Sequence, residues 1–181
     1  NCGGNSSTAA DANQRSKLSD LSPLTGMSLT TFYCGYSQVS DLSPLAGQPL
    51  ETLFCHNTSV TDLSPLKGMP LRRLNISVSK VEDLLSLKGL PLFELDCRYT
   101  RVSDLSPLRG SPVTTLHCYK TQVADLQSLE TCRALTSLNV TSTKVTPAQV
   151  AALQKALPHC KIEWDDPAKA TTTQPAASGT K

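Results

Sequence analysis

Apolar residues in this chain fall at fixed intervals that belong neither to a helix nor to an ordinary hairpin. Counting from Leu29 as position one, apolar residues stand at positions one, four, six and eleven, with a hydroxyl at position nine: Leu29, Phe32, Cys34, Ser37, Val39. The same order returns as Leu50, Leu53, Cys55, Thr58, Val60 and as Leu71, Leu74, Ile76, Ser79, Val81. It returns again as Leu92, Leu95, Cys97, Thr100, Val102, as Val113, Leu116, Cys118, Thr121, Val123, and as Leu135, Leu138, Val140, Thr143, Val145. Apolar positions four and six with polar neighbours predict a short strand that buries one face. Between the strands runs a seven-residue signature, LSDLSPL at 18, VSDLSPL at 39, VTDLSPL at 60, VEDLLSL at 81, VSDLSPL at 102 and VADLQSL at 123, each 21 residues after the last.

A period of this length marks a solenoid, in which each copy is one coil and neighbouring coils share a core. Strands of successive coils then stack in parallel, about 4.8 Å apart. The return path has room for a 3-10 turn and not for a full helix. In D-L-S-P-L the carboxylates of Asp20, Asp41, Asp62, Asp83, Asp104 and Asp125 are placed to accept backbone N–H groups at the start of that turn. Pro23, Pro44, Pro65 and Pro107 stiffen it where a missing N–H costs little. Both leucines of the motif, such as Leu63 and Leu66, are expected to point inward.

The pattern resembles the leucine-rich repeat segment L-x-x-L-x-L-x-x-N-x-L, with Ser or Thr replacing the usual Asn. Its D-L-S-P-L signature is similar to that of internalin-like and other bacterial leucine-rich repeat proteins. The resemblance covers about residues 18–164. It implies an α/β solenoid: a right-handed superhelix with a parallel β-sheet on the concave face and short 3-10 turns on the convex face.

The ends differ from the repeat. Cys2-x-x-Asn5 matches positions six and nine, so residues 1–17 read as a truncated first repeat followed by an inserted loop, roughly SSTAADANQRS. That reading makes the chain a piece of a longer solenoid with an open N-terminal edge, through which copies could self-associate. A rival reading takes Cys2 as the lipidated cysteine of a bacterial lipoprotein. Residues 18–144 hold the six repeats. Residues 145–164 read as a helix–strand cap: Thr146-Pro147 opens AQVAALQKAL, with Val150, Leu153 and Leu157 on one face, and HCKIEW supplies a last strand with Trp164 over it. Residues 165–181 carry no large apolar side chain after the cap and are expected to be disordered.

Composition removes several alternatives. A formal charge of +2 with interspersed signs gives no nucleic-acid footprint, and no apolar run approaches the ~18 residues of a membrane span. Cys34, Cys55, Cys97 and Cys118 share one inward slot with Ile76 and Val140, so they read as buried thiols serving as small hydrophobes. Cys132 and Cys160 lie outside that ladder, and whether they pair is open, as it is for neighbouring ladder cysteines. No C-x-x-C, H-E-x-x-H, G-x-S-x-G or phosphate loop occurs, so no metal, cofactor or enzymatic activity is expected. His117 stands beside Asp96 in the position-five row without a matching nucleophile, which favours a surface hydrogen bond over catalysis.

If the repeated letters build the frame, function belongs where the copies differ. Positions three, five, seven and eight are expected to face solvent on the concave side. There stand Tyr33, Tyr36, Phe54, His56, Arg73, Glu94, Asp96, Arg98, Tyr99, His117, Tyr119 and Lys120. Rings with arginine are the usual anchors of protein interfaces, and an open sheet suits a polypeptide better than a small molecule. The sequence therefore points to a non-enzymatic module binding a protein partner of unknown identity. The alternative is a passive spacer or sensory arm of a larger bacterial protein, such as a kinase or surface protein. The compartment, cytoplasm or cell surface, follows that parent protein.

Overall fold

The computed structural model describes residues 16–167. The strand tail read at residues 1–5, the lipidation candidate Cys2, nearly all of the inserted loop and the tail from 168 lie outside the described residues. Seven three-residue strands follow one another in chain order in a single parallel sheet. They are β1 (Thr31–Tyr33), β2 (Thr52–Phe54), β3 (Arg73–Asn75), β4 (Glu94–Asp96), β5 (Thr115–His117), β6 (Ser137–Asn139) and β7 (Lys161–Glu163). Each pair is in register at equivalent positions, Leu53 beside Leu74 and Leu74 beside Leu95. Opposite the sheet lie six 3-10 turns, Ser22–Leu24, Ser43–Leu45, Ser64–Leu66, Leu85–Leu87, Ser106–Leu108 and Gln127–Thr131. This is the leucine-rich-repeat solenoid that the sequence implied.

The signature residues act as expected. Each of the six aspartates accepts the backbone N–H two residues on, at 2.6–2.9 Å. Where serine follows, its hydroxyl donates to the second carboxylate oxygen. Those bonds hold the carboxyls of Asp20 and Asp62 below the ordinary value. Leu63 and Leu66 are buried, and the Leu66 N–H closes the turn on the Leu63 carbonyl at 2.9 Å. Gly26, Gly47, Gly68, Gly89 and Gly110 follow the turns at φ of 68–77°, with open space where a side chain would stand. The backbone conformation, and not crowding, therefore selects glycine there.

The sheet side ends in a reversal that the apolar pattern did not reveal. Position eight is left-handed in all six coils: Tyr36, Asn57, Val78, Tyr99, Lys120 and Ser142 have φ of 53–55°. The position-nine hydroxyls of Ser37, Thr58, Thr100, Thr121 and Thr143 then donate back to the position-six carbonyl at 2.6–2.7 Å. Serine or threonine thus satisfies a buried carbonyl at the bend. This is why the position requires a hydrogen-bonding side chain.

At the C-terminal end, α1 (Pro147–Ala156) starts with a capping box between Thr146 and Gln149. Val150, Leu153 and Leu157 are buried, while Ile162 and Trp164 are partly buried against the same core. No helix among the described residues is long and apolar enough to cross a membrane.

No disulfide joins the described cysteines. Cys132 occupies a second buried row, after the turns, that Gln48, Met69 and Leu90 fill in earlier coils; its Sγ lies 3.1 Å from the Leu108 carbonyl oxygen. Burial raises the thiol pKa of Cys55 and Cys97 strongly and pushes that of Cys118 up to about 12. Because the thiolate is the reactive form, these side chains are protected twice, by access and by protonation. Alkylation in native buffer followed by peptide mapping is therefore expected to leave Cys34, Cys55, Cys97 and Cys118 unmodified. All four should react fully in denaturant. Native labelling of any of them would show that the inward register is wrong.

Candidate functional site: the concave sheet

Parallel in-register stacking turns each strand position into a row of side chains across the sheet. Position five reads Tyr33, Phe54, Asn75, Asp96, His117, Asn139, and position three reads Thr31, Thr52, Arg73, Glu94, Thr115, Ser137. Residues 21 apart in sequence therefore become neighbours, and the structure sorts the candidate residues into two clusters flanking a charged centre.

In the N-terminal cluster, the rings of Tyr33 and Phe54 meet edge to face with centroids 5.1 Å apart. The Arg73 guanidinium lies 5.6 Å over the Phe54 ring, and its Nε donates to Glu94 at 2.9 Å. His56 leans across the preceding coil, where a Cβ on Gly35 would clash with the imidazole. Glycine at position 35 is thus what lets His56 settle edge-on against Tyr36, at 5.0 Å between centroids. The His56 Nδ1 is buried with no hydrogen-bond partner. Burial lowers the pKa of this imidazole, against the opposing pull of Asp96. It is neutral at physiological pH and functions as part of an apolar surface.

The C-terminal cluster is built on Tyr99 and Tyr119, whose rings also meet edge to face at 5.4 Å. Arg98 Nη1 donates to the Tyr119 hydroxyl at 3.1 Å, and Lys120 Nζ donates to the Tyr99 hydroxyl at 3.1 Å. Lys120 also stands 4.7 Å over the Tyr99 ring. The hydrogen bond to Tyr99 raises the Lys120 pKa, so the ammonium stays charged. In both clusters the rings touch one another and a cation, contacts that reduce the side-chain entropy left to lose when a partner docks.

Asp96 departs from the sequence expectation. Strand alternation puts it among the exposed face residues, yet it is buried at 7% exposure. One carboxylate oxygen accepts the Arg98 N–H at 3.2 Å and the other faces Arg98 Nε at 3.3 Å. Asn75 and Asn139 accept the same backbone N–H in their own coils, from Ser77 at 3.0 Å and Thr141 at 3.1 Å. Position five is therefore partly a structural position, an Asx turn that shapes the bend. Ser77, at position seven, is likewise buried. His117 lies beside Asp96 in register, but the surface hydrogen bond expected between them does not form; Arg98 is the partner of that carboxylate instead. Sequence reasoning also missed Phe93, 39% exposed at position two beneath the Arg72 guanidinium. Only its occurrence as a large ring at an otherwise polar position signals it.

Burial raises the Asp96 pKa above the ordinary carboxylate value. A raised acid pKa means the charged form costs stability above the folded-state pKa, and protonation relieves that cost as pH falls. Asp96→Asn keeps the acceptor for the Arg98 N–H and removes the buried charge. It is expected to raise the thermal midpoint at pH 7 and to narrow its advantage over wild type as the pH is lowered through the carboxylate range. The more exposed Arg98 remains solvated. Melting curves of both proteins at several pH values check this, and a lower midpoint for the variant at pH 7 would refute it.

Among the described residues, no group of three or more His, Cys, Asp or Glu is placed to hold a metal ion. An open depression of about 400 Å³ is lined by Ser79, Lys80, Tyr99, Thr100, Arg101 and Lys120.

Comparison with protein-family models finds no match, and neither does comparison with curated proteins. Solved structures do match. An internalin, InlF of Listeria monocytogenes, superposes with a TM-score of 0.73 at 22% identity, covering 91% of this chain and 52% of that one. Internalin C2 of Listeria monocytogenes gives 0.67 at 18% identity, covering 83% and 78%. A leucine-rich repeat protein of Leptospira interrogans gives 0.62 at 21% identity, covering 75% and 37%. The chain thus spans about half the length of the first of these. At such identities the likeness is one of fold, and that fold is the leucine-rich-repeat solenoid.

Proposed function

We propose that this chain is a non-enzymatic interaction module that binds a polypeptide through the concave sheet. The observation that supports it most is the pair of preorganised clusters, Tyr33/Phe54/Arg73 and Tyr99/Tyr119/Arg98/Lys120, on one open face. Tyr33, Tyr36 and Tyr99 are 38–52% exposed there. Rings and arginine anchor interfaces out of proportion to their number, and contiguous exposed rings reduce solubility unless a partner covers them. The sheet spans seven strands without enclosing a cavity, a shape that presents area and not a small-molecule pocket. The internalin fold of InlF and internalin C2 agrees with this reading.

The competing reading, a spacer or sensory arm of a larger protein, draws on the neutrality of the middle of the face, where Arg73 is satisfied by Glu94 and Arg98 by Asp96. The two part over the rings. A variant carrying Tyr33→Ala, Phe54→Ala, Tyr99→Ala and Tyr119→Ala, shown folded by circular dichroism, is compared with the intact chain as bait in a lysate of the source organism. The interface reading expects a protein retained by the intact chain and lost by the variant. Equal retention by two folded baits would favour the spacer.

A further inference from the structure

The two borders of the concave sheet carry charge differently. On the border where strands begin, positions two and three hold Glu51, Arg72, Arg73 and Glu94, two acids and two bases, paired at 3.7 Å (Arg72–Glu51) and 2.9 Å (Arg73–Glu94). On the border where strands end, positions seven, eight and ten of the third to fifth coils hold Ser77, Val78, Lys80, Arg98, Tyr99, Arg101, Tyr119, Lys120 and Gln122. These include four cations and no acid. Two of the cations are balanced from other positions, Arg98 by buried Asp96 and Arg101 by Glu82 at 2.9 Å. Lys80 and Lys120 have no acidic partner among the described residues.

Both unbalanced lysines line the open depression of about 400 Å³ whose wall includes the exposed ring of Tyr99. Lys120 is held there by the Tyr99 hydroxyl, which leaves donors of its ammonium free. Ser79 and Thr100 complete the lining, with the buried Thr100 hydroxyl committed to the Cys97 carbonyl.

We propose that this border, centred on Lys80, Tyr99 and Lys120, is the docking site for an acidic segment of the polypeptide partner, with Asp or Glu carboxylates bridging the two ammonium groups. The proposal rests on the interface reading above and adds the chemistry of the partner. Charge complementarity across an interface sets orientation and on-rate, and rejects partners of the wrong sign. A nucleic acid fits less well, because its affinity grows with the number of phosphates that basic side chains neutralise. The border offers two uncompensated cations, on a chain of formal charge +2.

The test is binding of the whole chain to poly-L-glutamate of about twenty residues, followed by fluorescence anisotropy, with an oligothymidylate of equal charge as the nucleic-acid probe. The double variant Lys80→Glu/Lys120→Glu is compared with Lys67→Glu/Lys88→Glu, the same charge change on exposed turn residues of the opposite face. The proposal expects polyglutamate to bind wild type and the turn variant alike, and to lose roughly tenfold in affinity with the border variant, given the small worth of single exposed ion pairs. The affinity should also fall as salt shortens the screening length below ~10 Å. Absent binding, equal loss in both variants, or tighter binding of the oligonucleotide would each overturn it. The outcome is separable from the interface reading. If a natural partner still depends on the four rings while polyglutamate fails to bind, the acidic-segment proposal falls and the concave interface stands.

Discussion

Replacing Leu74 with alanine is expected to lower the unfolding free energy by about 2–5 kcal/mol, while Tyr99→Ala lowers it far less. Leu74 is the middle residue of β3 and is 1% exposed. Its register neighbours Leu53 and Leu95 are completely buried, so the row offers no route for water or for a neighbouring side chain to fill the space. Truncation removes the transfer free energy of the lost methyl groups and leaves a cavity in a core that relaxes only partly. Position in the array adds to the effect. Each coil is stabilised chiefly by its two neighbours, so a weakened third strand uncouples the first two coils from the rest. Tyr99 is 45% exposed, and its loss removes ring contacts on the outer surface. Urea denaturation of the three proteins measures both effects from midpoint and slope. Equal destabilisation would mean that inward and outward positions have been assigned wrongly; a reduced slope for Leu74→Ala would mean that the array unfolds in parts.

The second large effect has the opposite sign. Val78→Asn is expected to stabilise the chain by about 1 kcal/mol. Val78 adopts φ of 54°, in a region where a β-branched residue suffers most because its Cβ crowds the following carbonyl. A left-handed conformation costs a non-glycine residue about 1–2 kcal/mol, and asparagine bears it better than most. Asn57 already holds the same conformation one coil earlier, at φ of 53°. Little packing is given up, since Val78 is 45% exposed at the end of the third coil's strand segment. The same denaturation experiment reads the change as a shift of midpoint to higher urea at constant slope. A shift to lower urea would show that valine makes contacts here worth more than the strain.

The frame was legible in the sequence because its determinants are local and repeated. The D-L-S-P-L aspartates, prolines and paired leucines sit where the turn chemistry requires them, and the apolar pair at positions four and six carries the strand. Cys34, Cys55, Cys97 and Cys118 were recognisable as core residues because Ile76 and Val140 fill the same slot. The bend at position eight was not legible, because Tyr36, Asn57, Val78, Tyr99, Lys120 and Ser142 share no side-chain property; the backbone hydrogen bonds of neighbouring coils impose the conformation. Asp96 was misplaced for a related reason. Alternation alone assigns it to solvent, whereas burial comes from a side chain folding back onto the Arg98 N–H. Cys132 could be set outside the ladder, but the row it fills could not be read, because the last coil replaces glycine with a longer turn, Gln127–Thr131, and so hides its equivalence to Met69 and Leu90. Of the candidate face, most residues could be placed from the sequence, Asp96 and Phe93 excepted, and the pairings could not. That Tyr33 meets Phe54, and that Lys120 is held by Tyr99, depends on side-chain reach across coils as well as on register.

One titration tests the division between repeated frame and variable face most directly. The partner captured with the intact chain is purified and its affinity measured for two folded sets of variants. One set truncates Tyr33, Phe54, Tyr99 and Tyr119 singly to alanine; the other truncates Leu85, Lys67 and Lys88 on the turns of the opposite face. The account predicts losses of about 1 kcal/mol or more for at least two of the rings and near-neutral values for every turn variant. Losses confined to the turn variants, or shared equally between the faces, would contradict it.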